Sequence, residues 1–255
     1  MAWNPEQYLK FAQPRLRPAV DLLARIDSRD PKFVYDLGCG AGNVTRLLAE
    51  RWPLSSIVGI DDSSEMLAQA AKELPNATWV NASISQWQPS NPADVLFSNA
   101  ALHWLPNHEQ LFPRLARMLA PKGVLAVQMP RNFLAPSHTL IAETVRAGAW
   151  REKLAPLLIP PPVAEPSSYH QVLAPIAGSL DIWETDYLQV LSGTDPVKEW
   201  VKGTWLKQFL DRLDATERVP FEADYAARLR TAYPPLADGT TLFPFRRMFI
   251  VLRGK

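Results

Sequence analysis

The run Val34-Tyr35-Asp36-Leu37-Gly38-Cys39-Gly40-Ala41-Gly42-Asn43 constrains this 255-residue chain more than any other stretch. Phe33 to Leu37 is short, apolar and closed by glycine, the pattern of a strand buried on both faces of a parallel sheet. Val44 to Arg51 follows as a helix. Gly38, Gly40 and Gly42 allow a tight turn and a close approach of ligand to backbone, because none carries a Cβ. A dinucleotide fingerprint places its third glycine one position later, where Asn43 stands, and a phosphate loop ends in Gly-Lys-Ser/Thr, which is absent. Asp36, just ahead of the turn, repels pyrophosphate and attracts an ammonium or sulfonium. The expected ligand is a cation.

A second apolar strand, Ile57 to Ile60, ends on Asp61, about twenty residues after Gly40, where a carboxylate can accept the vicinal hydroxyls of a ribose. The array Asp36-x-Gly38-x-Gly40-x-Gly42 followed by Gly59-Ile60-Asp61 resembles the class I S-adenosylmethionine-dependent methyltransferases. The resemblance implies an α/β fold, a Rossmann-like doubly wound seven-stranded sheet whose last strand is antiparallel, with a mainly helical cap. It also implies S-adenosylmethionine as cofactor and S-adenosylhomocysteine as product. The contacts it implies are Asp36, Gly38, Cys39, Gly40 and Asn43 at the turn, and Asp61, Asp62 and Met66 around the second strand end. Asn99 closes the fourth strand, and Gln13 belongs to a leader folded over the cofactor. The adenine corner departs from the family pattern. It reads Asn81-Ala82-Ser83-Ile84 where an aspartate is usual, so Ser83 and the backbone of Ile84 take that role.

Along the chain, Leu16, Val20, Leu22, Leu23 and Ile26 form a helical stripe before the first strand. Asp62-Ser63-Ser64-Glu65 reads as a capping arrangement opening a helix from Ser63 to Leu74. Strands are expected at Thr78 to Asn81, Asp94 to Asn99 and Val124 to Met129, with a helix from Glu109 to Leu119. Five strands alternating with helices imply a parallel sheet with right-handed crossovers. Beyond Met129 the rhythm changes. Two or three helices surround the cluster Pro156, Pro160-Pro161-Pro162 and Pro166; a strand from Ile182 to Leu191, helices Val197 to Leu213 and Phe221 to Tyr233, and a strand from Phe243 to Leu252 complete the chain. Residues 1–130 are thus expected to hold the leader helix and cofactor-binding part, and 131–255 the cap with the last two strands of the same sheet.

Several segments narrow the resemblance to the branch of this superfamily that methylates trans-aconitate. They are Trp3-Asn4-Pro5 with Tyr8-Leu9-Lys10-Phe11, Ser98-Asn99-Ala100-Ala101-Leu102-His103-Trp104, Lys202-Gly203-Thr204, and Ala237-Asp238-Gly239-Thr240-Thr241-Leu242-Phe243-Pro244-Phe245-Arg246-Arg247. What this implies is methyl transfer to a carboxylate of a small polycarboxylic acid, giving a monomethyl ester. A carboxylate with a pKa near ~4 is already ionised at neutral pH, so no catalytic base is needed and none is expected. No metal is expected either, since His103 and His108 lack ligand spacing. A polyanionic substrate does need cations. Arg246 and Arg247 interrupt an apolar strand and point to opposite faces, so at least one is covered and requires a carboxylate partner. That partner is either Asp181, Glu184 or Asp186 of the neighbouring strand, or the substrate. Tyr8, His103, Trp104, Arg131 and Lys202 complete the substrate candidates.

A net charge of +1 gives no nucleic-acid footprint, and no apolar run approaches a membrane span. Met1-Ala2-Trp3-Asn4-Pro5 does not open a signal peptide, and a single cysteine, Cys39, suits a reducing cytoplasm. The competing readings are the same fold acting on a fatty acid or hydroxyl, a module that binds the cofactor without turnover, and an oxidoreductase, against which Asn43 and Asp36 both speak.

Overall fold

The computed structural model describes residues 12–255, with side chains from Leu16 onward. One sheet of seven strands runs in the order β3-β2-β1-β4-β5-β7-β6. Its strands are β1 (Phe33–Leu37), β2 (Ser56–Asp61), β3 (Thr78–Asn81), β4 (Ala93–Asn99), β5 (Leu119–Pro130), β6 (Ser179–Leu191) and β7 (Thr241–Arg253). The first five pair in parallel, although no helix separates β3 from β4, and β7 runs antiparallel to β5. Gly178, just before β6, donates its N–H to Arg253 near the end of β7, whereas Asp186 reaches Arg246 nearer its start. These two strands are therefore antiparallel too.

From β1 the chain winds outward through β2 to β3, then returns to lay β4 on the other side of β1. The order reverses between β1 and β4, and a ligand crevice opens outside the carboxyl ends of strands at such a point. The Ser98 hydroxyl donates to the Leu37 carbonyl at 2.9 Å and ties those two strand ends together. Val34, Leu37, Ile60, Val95, Phe97, Val127 and Ile250 are buried in the sheet.

By its contacts the chain divides into two units. One comprises Arg15–Pro130, Pro162–Thr185 and Arg247–Lys255. It holds α2 (Asn43–Arg51), α3 (Ser64–Glu73), the single helical turn Leu102–Trp104, α4 (His108–Ala116) and α7 (Pro166–Leu173); α1 (Ala12–Ala24) precedes β1. The other includes Arg131–Pro161 and Asp186–Arg246, with α5 (Pro136–Ala147), α6 (Arg151–Leu154), α8 (Pro196–Lys202), α9 (Lys207–Leu210) and α10 (Ala215–Ala232). It has its own core, in which Ile141, Trp150, Trp200, Phe209, Phe221, Tyr225 and Phe243 pack together.

Three helix boundaries differ from the periodicity. The helix expected from Val197 to Leu213 breaks into α8 and α9, because at Gly203-Thr204 the Thr204 N–H turns back to the Val201 carbonyl. α4 stops at Ala116, and Leu119 already belongs to β5. α10 begins at Ala215, six residues before Phe221, where Asp214 and Glu217 form a capping box. Among the described residues, no helix is long and apolar enough to cross a membrane, and no group of histidine, cysteine or carboxylate side chains could hold a metal.

Candidate cofactor and substrate site

The glycine turn is built by sterics from below and left open above. Gly38 has φ +74°, and a Cβ there would lie 2.2 Å from the Ala101 Cβ, so the turn after β1 packs directly on the turn after β4. Gly40 has φ +54°, and a Cβ there would meet nothing within 4 Å. Gly40 borders open space. Its N–H donates to one Asp61 carboxylate oxygen at 2.9 Å, and the Ser63 N–H donates to the other at 2.9 Å. Each oxygen keeps a second lone pair for an incoming hydroxyl.

Asp36 is 1 % exposed, and its carboxylate accepts the Thr45 hydroxyl at 2.7 Å. Burial drives its pKa up to about 7; the Thr45 bond opposes this, and the negative charge of Asp61 adds to it. Two carboxylates crowd one turn, and a cation placed there would relieve both. Cys39 is buried, and desolvation together with Asp36 and Asp61 pushes its thiol far up, so it is no nucleophile.

The Ile84 side chain reaches 3.6 Å from where a Gly38 Cβ would stand, so the Ser83-Ile84 corner abuts the turn. The Ser83 hydroxyl is bonded to that of Ser85 at 2.7 Å. Arg114 braces this corner by donating to the carbonyls of Ile84 and Trp87. Met66 opens α3, donating its N–H to the N-cap Ser63 at 3.3 Å; Ser63, not Asp62, supplies that cap. Asp62 and Asn43 are exposed, and Gly42 takes the N-cap position of α2. Gln13 lies in α1, its side chain outside the described residues, and Tyr8 lies outside them altogether.

At the carboxyl ends of β4 and β5 a second group assembles. Asn99 stands opposite Gln128, and the Arg247 guanidinium, 6 % exposed, donates to the Gln128 side-chain oxygen at 3.2 Å. His103 is buried with its ring 4.7 Å from that of Trp104, which is 54 % exposed. His108 donates through Nε2 to the Leu102 carbonyl and accepts from the Tyr169 hydroxyl through Nδ1, and burial holds its pKa down. It is a structural histidine.

The two arginines do point opposite ways. Arg247 is the covered one, whereas Arg246 is half-exposed and grips Asp186 through two bonds of 2.8 and 2.9 Å. The strand neighbour is therefore Arg246's partner. Lys202 likewise bonds Glu222 at 2.8 Å, in a cluster where Glu222 also meets Lys198 and Arg218. The Lys202 ammonium, expected to meet the substrate, thus has a carboxylate of the protein within hydrogen-bond distance. Arg131 donates its N–H to the Arg246 carbonyl at 2.9 Å. Thr45, Arg114 and Gln128 escaped the sequence reading. Thr45 could have been found as the one hydroxyl in the first turn of the helix after the glycines.

A methyltransferase domain model matches residues 34–123, the span from β1 into β5. The chain is 47 % identical over 249 residues to a trans-aconitate 2-methyltransferase of Azoarcus sp. (strain BH72), with 98 % of each chain covered. It is 46 % identical over 259 residues to one of Streptomyces avermitilis, covering 98 % of this chain and 96 % of the relative. Solved structures of lower identity share the fold. One is phosphoethanolamine N-methyltransferase 2 of Haemonchus contortus in complex with S-adenosyl-L-methionine, at a TM-score of 0.55 and 17 % identity, covering 94 % of this chain and 53 % of that one. Another is the YcgJ protein of Bacillus subtilis, at 0.59 and 14 % identity, covering 94 % and 99 %. Similarity of this extent to the named relatives, over nearly the whole of both chains, means that this chain belongs to the trans-aconitate 2-methyltransferase family.

Proposed function

We propose that the chain transfers the methyl group of S-adenosylmethionine to a carboxylate of trans-aconitate, giving a monomethyl ester. The observation that carries this reading is Arg247, a buried guanidinium at the carboxyl end of the sheet in a chain that shares nearly half its residues with enzymes named for that substrate. The residues of the turn suit the cofactor. Asp36 and Asp61 supply negative charge for a cation, Asp61 has lone pairs for ribose hydroxyls, and the open space above Gly40 leaves room for a ligand against the backbone.

When bound, S-adenosylmethionine supplies a methyl carbon made electrophilic by the sulfonium. The protein's part is to hold an acceptor oxygen near that carbon and in line with it, which by itself can lower a barrier by roughly 7–11 kcal/mol. No residue has to remove a proton, since the acceptor is already an anion. A bidentate arginine fixes a planar carboxylate in angle as well as distance, and this reading gives that role to Arg247, whose buried guanidinium is bonded to Gln128. The same reading puts the enzyme in the cytoplasm, where a free thiol such as Cys39 stays reduced, and makes its partner a small anion.

One other acceptor class has an observation behind it. A cavity of about 410 Å³ in the unit containing α5 has apolar walls, among them Phe133, Ile141, Leu157 and Phe209, that suit an acyl chain, and the polar Glu143 and Arg146 also line it. Calorimetry separates the readings. S-adenosylhomocysteine should bind and NAD should not, and the loaded protein should then bind trans-aconitate more tightly than a medium-chain fatty acid. Tighter binding of the fatty acid would favour the acyl acceptor over trans-aconitate.

A further inference from the structure

We infer that Gln128 is a substrate-binding residue, set beside Arg247 to receive the carboxylate end of the acceptor; the inference rests on the methyl-transfer reading above. Gln128 is fully buried near the end of β5, inside the apolar run Val124 to Met129. Its side-chain oxygen accepts from Arg247 at 3.2 Å, whereas its Nε2 has no hydrogen-bond partner among the described residues. On β4, directly opposite in the parallel register, Asn99 leaves its side-chain oxygen equally unmatched. A donor and an acceptor on neighbouring strands, about 4.8 Å apart, would satisfy each other if their only task were to fill the core. They do not.

A buried amide donor without a partner is costly, and native proteins keep such a group chiefly where a ligand or an ordered molecule completes it. The chemistry of the two orphans is complementary to the two reactants. Asn99 offers an acceptor to the cationic cofactor, and Gln128 offers a donor to an anionic acceptor. Holding Arg247 by its oxygen also fixes which way the Gln128 amide faces. The oxygen is committed to the guanidinium, so the N–H groups must point to something else. An anion at that place receives hydrogen bonds from Gln128 and charge from Arg247 together. A carboxylic acid, ester or amide of the same shape gains only the weaker neutral contacts.

The test compares wild type with Gln128→Glu and Gln128→Leu, measuring kcat and KM for trans-aconitate and calorimetric binding of S-adenosylhomocysteine. Gln128→Glu keeps the shape, pairs the new carboxylate with Arg247 and repels the substrate. It should raise KM by about 10- to 100-fold, the loss of one hydrogen bond to a charged group, with the product's Kd unchanged. Gln128→Leu should raise KM by about 10-fold or more and lower kcat less. A trans-aconitate KM within twofold of wild type in a folded Gln128→Glu variant would overturn the inference and leave the methyl-transfer reading intact. A wild-type enzyme that binds the product but methylates no polycarboxylate would overturn both.

Discussion

The Asp61 carboxylate accepts the N–H of Gly40 at 2.9 Å, so the tip of β2 holds the turn after β1 in place while keeping lone pairs for a ligand. Asp61→Ala removes the brace and, on the proposed reading, the acceptor of the ribose hydroxyls. Each hydrogen bond to a charged group is worth about 1.5–3 kcal/mol, so the Kd for S-adenosylhomocysteine should rise at least tenfold. The far-ultraviolet spectrum should stay as it was. Unchanged affinity in a folded variant would remove Asp61 from the site.

Neighbouring glycines should fail in different ways. Gly38→Ala drives a Cβ to 2.2 Å from that of Ala101, so soluble protein should fall and Tm with it. Gly40→Ala meets no protein atom and carries only the left-handed backbone strain of roughly 1–2 kcal/mol. That variant should fold, with a modest drop in Tm, and lose cofactor affinity, because its methyl enters the space that the proposed reading gives to the cofactor. Thermal melts with and without S-adenosylhomocysteine read both effects.

Asp36 gives the protein without ligand a pH-dependent stability of known sign. Burial raises its folded pKa to about 7 from an ordinary 3.8, so between those values the folded state binds a proton that the unfolded state has lost. The stability that this proton confers is complete below about pH 4 and falls as pH rises through 7. Asp36→Asn keeps an acceptor for Thr45 without the ionisation. The difference in Tm between wild type and this variant should therefore move against wild type from pH 4 to 8. A difference independent of pH would mean that Asp36 is not held protonated.

Arg246 and Arg247 are adjacent in sequence and opposite in fate. Arg246→Lys disturbs a half-exposed pair with Asp186, and surface pairs are worth about 0–1 kcal/mol, so kcat/KM should hardly change. Arg247→Lys loses the planar fork in a buried setting, and KM for trans-aconitate should climb at least tenfold with the cofactor's Kd unaffected. Steady-state kinetics on the two variants decide between them. Equal effects would mean that neither burial nor the Asp186 pair governs recognition.

The central parallel strands β1, β2 and β4 were legible because each is a short apolar run closed by glycine or a polar residue, the pattern that burial demands. The Gly40–Asp61 bond was legible as a spacing. What escaped were residues whose role depends on a distant partner. Gln128 looks like a lone polar interruption of Leu125-Ala126-Val127-Gln128-Met129 until the antiparallel β7 brings Arg247 against it. Nor does periodicity reveal which of two alternating arginines is covered. Arg114 reads as an ordinary helix-end cation, although its guanidinium holds the Ile84–Trp87 corner. The helix expected from Phe221 in fact starts at Ala215, so that Pro220 stands inside its first turns, behind the cap that Asp214 supplies.

On the proposed reading the methyl acceptor is a carboxylate of a small polyanion. The most direct measurement is mass spectrometry of products after incubation with methyl-labelled S-adenosylmethionine and a panel of trans-aconitate, other di- and tricarboxylates, a fatty acid and an alcohol. One labelled methyl should appear on trans-aconitate, released by mild alkali as an ester is. A label found only on the fatty acid or as an alkali-stable ether, with every polycarboxylate unlabelled, would contradict it.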